Sequence, residues 1–116
     1  MLTYIFSALV GYFASALVAN LITLIIDGII SMIKHVVQYF RGLRLRQGRD
    51  VPFIANENHP EFREMIHKAP TKNVGIFEAV YNEDTDEIEK AREIQADELD
   101  DSIKSTLNHE PIVVLN

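Results

Sequence analysis

The stretch Leu2 to Ile26, LTYIFSALVGYFASALVANLITLII, contains 25 residues and no charged side chain. At about 1.5 Å rise per residue a helix of that length covers about 37 Å, more than the hydrocarbon core of a bilayer. Length and apolarity together predict a transmembrane helix. Nothing positive precedes the run except the amino terminus, and it exceeds the roughly 7–15 apolar residues of a cleaved signal. The expectation is a retained anchor.

The basic residues come after the run. Lys34 is followed by Arg41, Arg44, Arg46 and Arg49, and positive residues flanking a span stay preferentially on the cytoplasmic side. This predicts a single-pass protein of the cell membrane with its N-terminus outside and its C-terminal domain in the cytosol. A helix continued from Leu2 to Phe40 would be about 60 Å long, so its lower half would leave the bilayer or lie on its surface. From Gly28 to Phe40, Ile29, Ile30, Ile33, Val36, Val37 and Phe40 form an apolar side opposite Ser31, Lys34 and Gln38. Such a segment suits the headgroup layer. Two spans broken near Ala19 and Asn20 are disfavoured, because no Gly or Pro turn sits there and each half would be short.

Within the run every fourth residue is small or polar. Ser7, Gly11, Ser15 and Ala19 form the clearest part of this row, and such spacing lets two helix backbones approach closely in lipid. Lower down, Asn20, Thr23, Asp27, Ser31, Lys34 and Gln38 fall within a sector of about 80° at 100° per residue. This polar stripe would face headgroup water in a lone helix. In an oligomer it would line a bundle interior or a wet path, with Asp27 and Lys34 as its charges.

The formal charge of −6 conceals an asymmetry along the chain. Met1 to Ile33 holds one charged side chain, Asp27, whereas Phe77 to Glu110 carries twelve acidic residues against Lys90, Arg92 and Lys104. A basic collar at Arg41, Arg44, Arg46 and Arg49 fits anionic lipid headgroups, and the acidic part argues against a nucleic-acid partner. Residues 1–40 then form the anchor and its amphipathic continuation, residues 41–51 a basic linker, and residues 52–116 a small acidic α+β domain. The expected fold class is thus a membrane α-helical anchor followed by a small α+β cytosolic domain. The roughly 75 residues that remain after the first 40 can form only a marginal core, which favours oligomerisation or a partner.

Inside that domain Pro52-Phe53-Ile54 reads as extended. Asn58-His59-Pro60-Glu61 reads as a helix start, with Phe62, Met65 and Ile66 on one side of a short helix ending before Pro70. Val74 to Tyr81 is the best strand candidate, and Asn82 to Glu87 has turn chemistry. Residues 88–95 suit either a returning strand, with Lys90 or Arg92 meeting Glu78, or the start of a long helix. The hairpin is preferred because Asp97 makes a good N-cap for a separate helix using Leu99, Ile103 and Leu107. Ile112 to Leu115 suits a final strand.

Chemistry-bearing patterns are sparse. His35, His59, His67 and His109 lack metal-ligand spacing. The run Glu83, Asp84, Asp86, Glu87, Glu89 lacks the central glycine of an EF-hand loop. There is no cysteine, hence neither a disulfide nor a thiolate site. No metal, cofactor or catalytic residue is expected. The function expected is non-enzymatic: a bitopic membrane protein that self-associates or joins a larger membrane-protein complex and presents a docking or sensing domain. The alternatives are an oligomeric membrane-perturbing or channel-forming effector gated through the cytosolic domain, and a protein whose first helix is buried inside an assembly.

Overall fold

The computed structural model describes residues 9, 11, 22–57, 72–108, 110 and 112–115. Among the described residues seven strands form in chain order: β1 (Ile22–Ile25), β2 (Ile29–Ile30), β3 (Asp50–Asn56), β4 (Val74–Asn82), β5 (Glu87–Ala96), β6 (Glu98–Leu99) and β7 (Ile112–Val114). Helix α1 begins as a π-helix over Met32–Val37 and continues as α-helix over Gln38–Arg41, and α2 spans Asp101–Thr106. The main sheet has the order β1-β5-β4-β3-β7, and β2 pairs with β6 in a separate two-stranded sheet.

The centre of the sheet follows from the β-branched and aromatic residues of β4, which is buried from Gly75 to Asn82. Both faces of the sheet are covered, so β4 reads as a continuous apolar run and not as an alternation. On one face Phe53, Ala55, Phe77, Ala79, Tyr81 and Ile112 pack with the helical residue Leu9. On the other, Ile54, Ile76, Val80 and Ile94 pack under Val36 and Phe40 of α1 and Ile103 of α2. Pleating assigns successive residues to opposite faces, which is why β3, β4, β5 and β7 each contribute to both clusters.

The hairpin expected between Val74 and Gln95 forms, with Glu78 directly opposite Arg92. Asn82 closes its turn: the side-chain Oδ1 accepts from the N–H of Asp84 at 2.8 Å and of Thr85 at 3.2 Å, and Asp86 takes a positive φ of 57°. A register shift between Val80 and Tyr81 places Tyr81 opposite Ile88. The expected final strand is β7, and the expected short helix is α2, which buries Ile103 and Leu107. Its N-cap is Asp100 and not Asp97. The helix expected after Asn58 lies outside the described residues.

The membrane-anchor fold is overturned. Residues 22–25 and 29–30 are strands, so no continuous helix runs from Leu2 to Phe40. Among the described residues no helix is long and apolar enough to cross a membrane. The orientation with the N-terminus outside and the C-terminal domain cytosolic falls with the span that carried it. The physical reason lies in Ile22, Thr23, Ile25 and Ile26: β-branched residues suit a strand, and an apolar run alone does not distinguish buried strand from helix. Here β5 supplies a parallel partner, pairing Ile22 with Arg92 through Ile25 with Gln95. Gly28, at φ +105°, then turns the chain in a conformation that side-chain-bearing residues rarely adopt.

Candidate functional site

Glu78 stands in the middle of β4 with its side chain fully buried. Arg92, its cross-strand neighbour, donates from Nε to Glu78 Oε1 at 2.5 Å. The same guanidinium donates from Nη2 to the His35 carbonyl at 2.8 Å and lies 3.9 Å from the centre of the Tyr39 ring. One arginine therefore ties the buried carboxyl to helix α1 by a charge-assisted bond, a backbone bond and a cation–π contact. Glu78 Oε2 meets no donor among the described residues. With water stripped from that oxygen, burial outweighs the Arg92 attraction and pushes the Glu78 carboxyl up to about 7.

His35 sits above this pair on α1, and its Nδ1 accepts from the Ser31 N–H at 2.8 Å. Burial first, then the charges of Arg92 and Lys34, hold the imidazole below its ordinary range against an opposing pull from Asp100. Asp100 joins the two helices. Its Oδ1 accepts from Ile103 N–H at 2.8 Å, capping α2, while Oδ2 accepts from Met32 N–H at 2.7 Å at the start of α1. A single carboxylate thus satisfies otherwise unpaired amides of two helix N-termini.

On the opposite face, Glu57 folds back against β4. Its N–H donates to the Gly75 carbonyl at 3.1 Å, and its Oε1 accepts from Gln95 Nε2 at 3.4 Å. A Cβ at Gly75 would lie 2.1 Å from Glu57 Oε2, so the carboxylate occupies the space a side chain would need. Near the β1 end of this face the Thr23 hydroxyl donates to buried Glu93 at 2.9 Å.

The polar stripe expected from sequence is not brought together as a path. Thr23 serves Glu93. Asp27 is 97% exposed and pairs with Lys72 at 2.9 Å, which holds its carboxyl below the usual range. Ser31 caps α1 by accepting from Lys34 N–H at 3.2 Å, and Lys34 itself is exposed. Asn20, Ser7, Ser15 and Ala19 lie outside the described residues, while Gly11 is helical and exposed, with nothing near its Cα that a side chain would meet.

The arginine collar is likewise divided. Arg41 ends α1, Arg44 has a positive φ of 52°, and Arg49 grips Asp50 through Nε at 2.9 Å and Nη2 at 3.1 Å. Arg46 donates its backbone N–H to the same Asp50 at 2.8 Å. These contacts, the Arg49 side chain foremost, keep the Asp50 carboxyl below its ordinary range. A cleft of about 420 Å³ opens beside them, between Leu45, Arg46, Val51, Pro52 and Leu115. Of its two carboxylates, Asp50 and Glu83, the first is already held by arginine and backbone donors.

The remaining feature is apolar. Ile22, Ile25, Ile29 and Ile33 are 68%, 53%, 52% and 68% exposed, and Leu24 and Val37 are each 38% exposed. All six fall on β1, β2 and α1. No protein-family profile, curated protein or solved structure matches this chain. Function must therefore be argued from this geometry alone.

The amphipathic side expected for Gly28 to Phe40 is split in two: Ile30, Val36 and Phe40 enter the core, and Ile29, Ile33 and Val37 face out. Sequence reasoning offered Lys90 or Arg92 as the partner of Glu78, and the structure selects Arg92; the burial of the pair was missed, although a lone carboxylate within Val-Gly-Ile-Phe-Glu-Ala-Val-Tyr was the available signal. Gly75 inside a strand pattern likewise marked a close approach.

Proposed function

We propose that this domain is a non-enzymatic docking module, presenting the apolar shoulder of β1, β2 and α1 to another protein surface. The observation that carries this reading is the concentration of six exposed large apolar side chains between Ile22 and Val37. Exposed apolar side chains concentrated in one part of a fold mark interaction sites when charged residues surround them, and Asp27 and Lys34 are exposed within the same stretch. The buried polar groups support the same reading. Glu78 with Arg92, and Asp100 with two helix ends, are spent on fastening α1 to the sheet, which gives the shoulder a fixed shape. Stiff presentation lowers the ordering cost of binding.

The test is a photoreactive side chain placed at Ile33 and, as a control, at Glu87 on the acidic hairpin. Covalent protein adducts should form from position 33 and not from position 87. Equal labelling at both, or none at 33, would sink the docking reading.

A further inference from the structure

We infer that the occupant of this shoulder is a second copy of the same chain, joined edge to edge through β1 in an antiparallel two-fold pair. The inference rests on the docking reading above and adds the partner and the register.

β1 is an edge strand: it pairs with β5 on one side and has no strand on the other among the described residues. Ile26 N–H donates to the Gln95 carbonyl at 2.8 Å. Because successive residues of a strand direct their N–H and C=O groups to opposite sides, Leu24 also addresses β5, while Thr23 and Ile25 direct theirs outward. A two-fold axis at Leu24 sets Thr23 against Ile25 of the other copy and Ile25 against its Thr23. Both are hydrogen-bonded pairs in the antiparallel ladder, so the outward donors and acceptors are satisfied in one register. Leu24 then faces its own counterpart in a non-hydrogen-bonded pair.

The side chains agree with this register. Ile22 and Leu24 share the face of Arg92 and Ile94, their parallel partners, and this is the face on which α1 lies. Pairing would bring two such faces side by side, with a copy of α1 at each flank carrying Ile33 and Val37. Edge strands are ordinarily blunted by Lys, Pro or a bulge, and Ile22 to Ile26 contains no charge and no proline. If each side chain carries on the order of 150 Å², the six exposed fractions hold about 500 Å² per copy, so their complete burial in a pair reaches about 1,000 Å², the lower limit for a specific interface.

The test uses the full chain, whose lack of cysteine makes single-cysteine reporters unambiguous. Sedimentation velocity at about 100 µM, a concentration suited to an interface of this size, should give twice the 13.2 kDa chain mass. Leu24→Lys, which sets like charges opposite each other at the axis, should give the single-chain mass with an unchanged circular dichroism spectrum. Under mild oxidation Leu24→Cys should cross-link on the order of tenfold faster than Ile25→Cys, because only residue 24 meets its own counterpart at disulfide distance. A single-chain mass for the unaltered protein overturns the inference, and so does a dimer in which the two cysteine variants cross-link alike. Photo-adducts from position 33 at a mass other than twice the chain would overturn the second copy as occupant while leaving the docking reading standing. Absence of any adduct would overturn both.

Discussion

Replacing Glu78 by Gln should change how stability depends on pH. In the folded chain the Glu78 carboxyl titrates at about 7, against an ordinary value of 4.5, because burial is compensated on Oε1 by Arg92 and on Oε2 by nothing among the described residues. The folded state therefore holds its proton more tightly than the unfolded state between those values. Stability from this group is complete below pH 4.5 and is lost as pH rises to about 7, by about 3 kcal/mol at 1.36 kcal/mol per unit. His35 works in the opposite sense: its depressed folded value means stability is complete above its unfolded value near 6.5 and falls as pH drops below it. Glutamine preserves the acceptor for Arg92 and removes the titration, and His35 is common to both proteins. Urea unfolding of the two chains at pH 4.5, 5.5, 6.5 and 7.5 (set at about unit steps across the window), followed by far-UV circular dichroism, isolates the Glu78 contribution as their difference. The stability of Glu78→Gln relative to the parent should rise by about 3 kcal/mol across this range. Parallel curves would refute the claim that the buried carboxyl gains a proton on folding.

Gly75→Ala should destabilise the fold by about 1–3 kcal/mol, since its Cβ would fall 2.1 Å from Glu57 Oε2 and 3.2 Å from the Ile94 carbonyl. Combining it with Glu57→Ala should recover part of the loss in thermal unfolding, and full additivity would contradict the clash. Asp100→Ala removes the α2 cap and the acceptor of the Met32 N–H at the start of α1, and should cost about 2 kcal/mol in urea unfolding. Asp97→Ala, which loses one bond from Gly28 N–H and a 3.6 Å contact with Lys72, should cost less than about 1 kcal/mol; the reverse order would restore Asp97 as the cap. Ile33→Lys should leave the unfolding midpoint nearly unchanged, because that side chain is 68% exposed, and a shift of more than about 1 kcal/mol would show that it is packed.

The hairpin was legible because its signals are local. Branched and aromatic residues from Val74 to Tyr81, Asn82 at the turn, and Lys90 or Arg92 placed to meet Glu78 favour a hairpin over a long helix for residues 88–95, and the structure forms it with Glu78 opposite Arg92. Helix α2 was legible apart from its start, which falls three residues later than expected and leaves Leu99 in β6. Asp97 and Asp100 both satisfy the local capping pattern, and the choice is made by distant segments: Gly28 engages Asp97, and Met32 engages Asp100.

By itself the sequence determined the turns, the β-branched and aromatic runs, and the confinement of the longest uncharged stretch to the N-terminal end. It did not determine what the lower end of that stretch becomes. Ile22 to Ile25 are apolar enough for lipid and branched enough for a sheet, and hydropathy is the same for both outcomes. The decision comes from β5, about 70 residues further along, whose edge offers those four residues backbone partners. Only the tertiary structure could make Ile22 to Ile25 an edge strand, because the backbone partners that decide it lie on a segment distant in sequence.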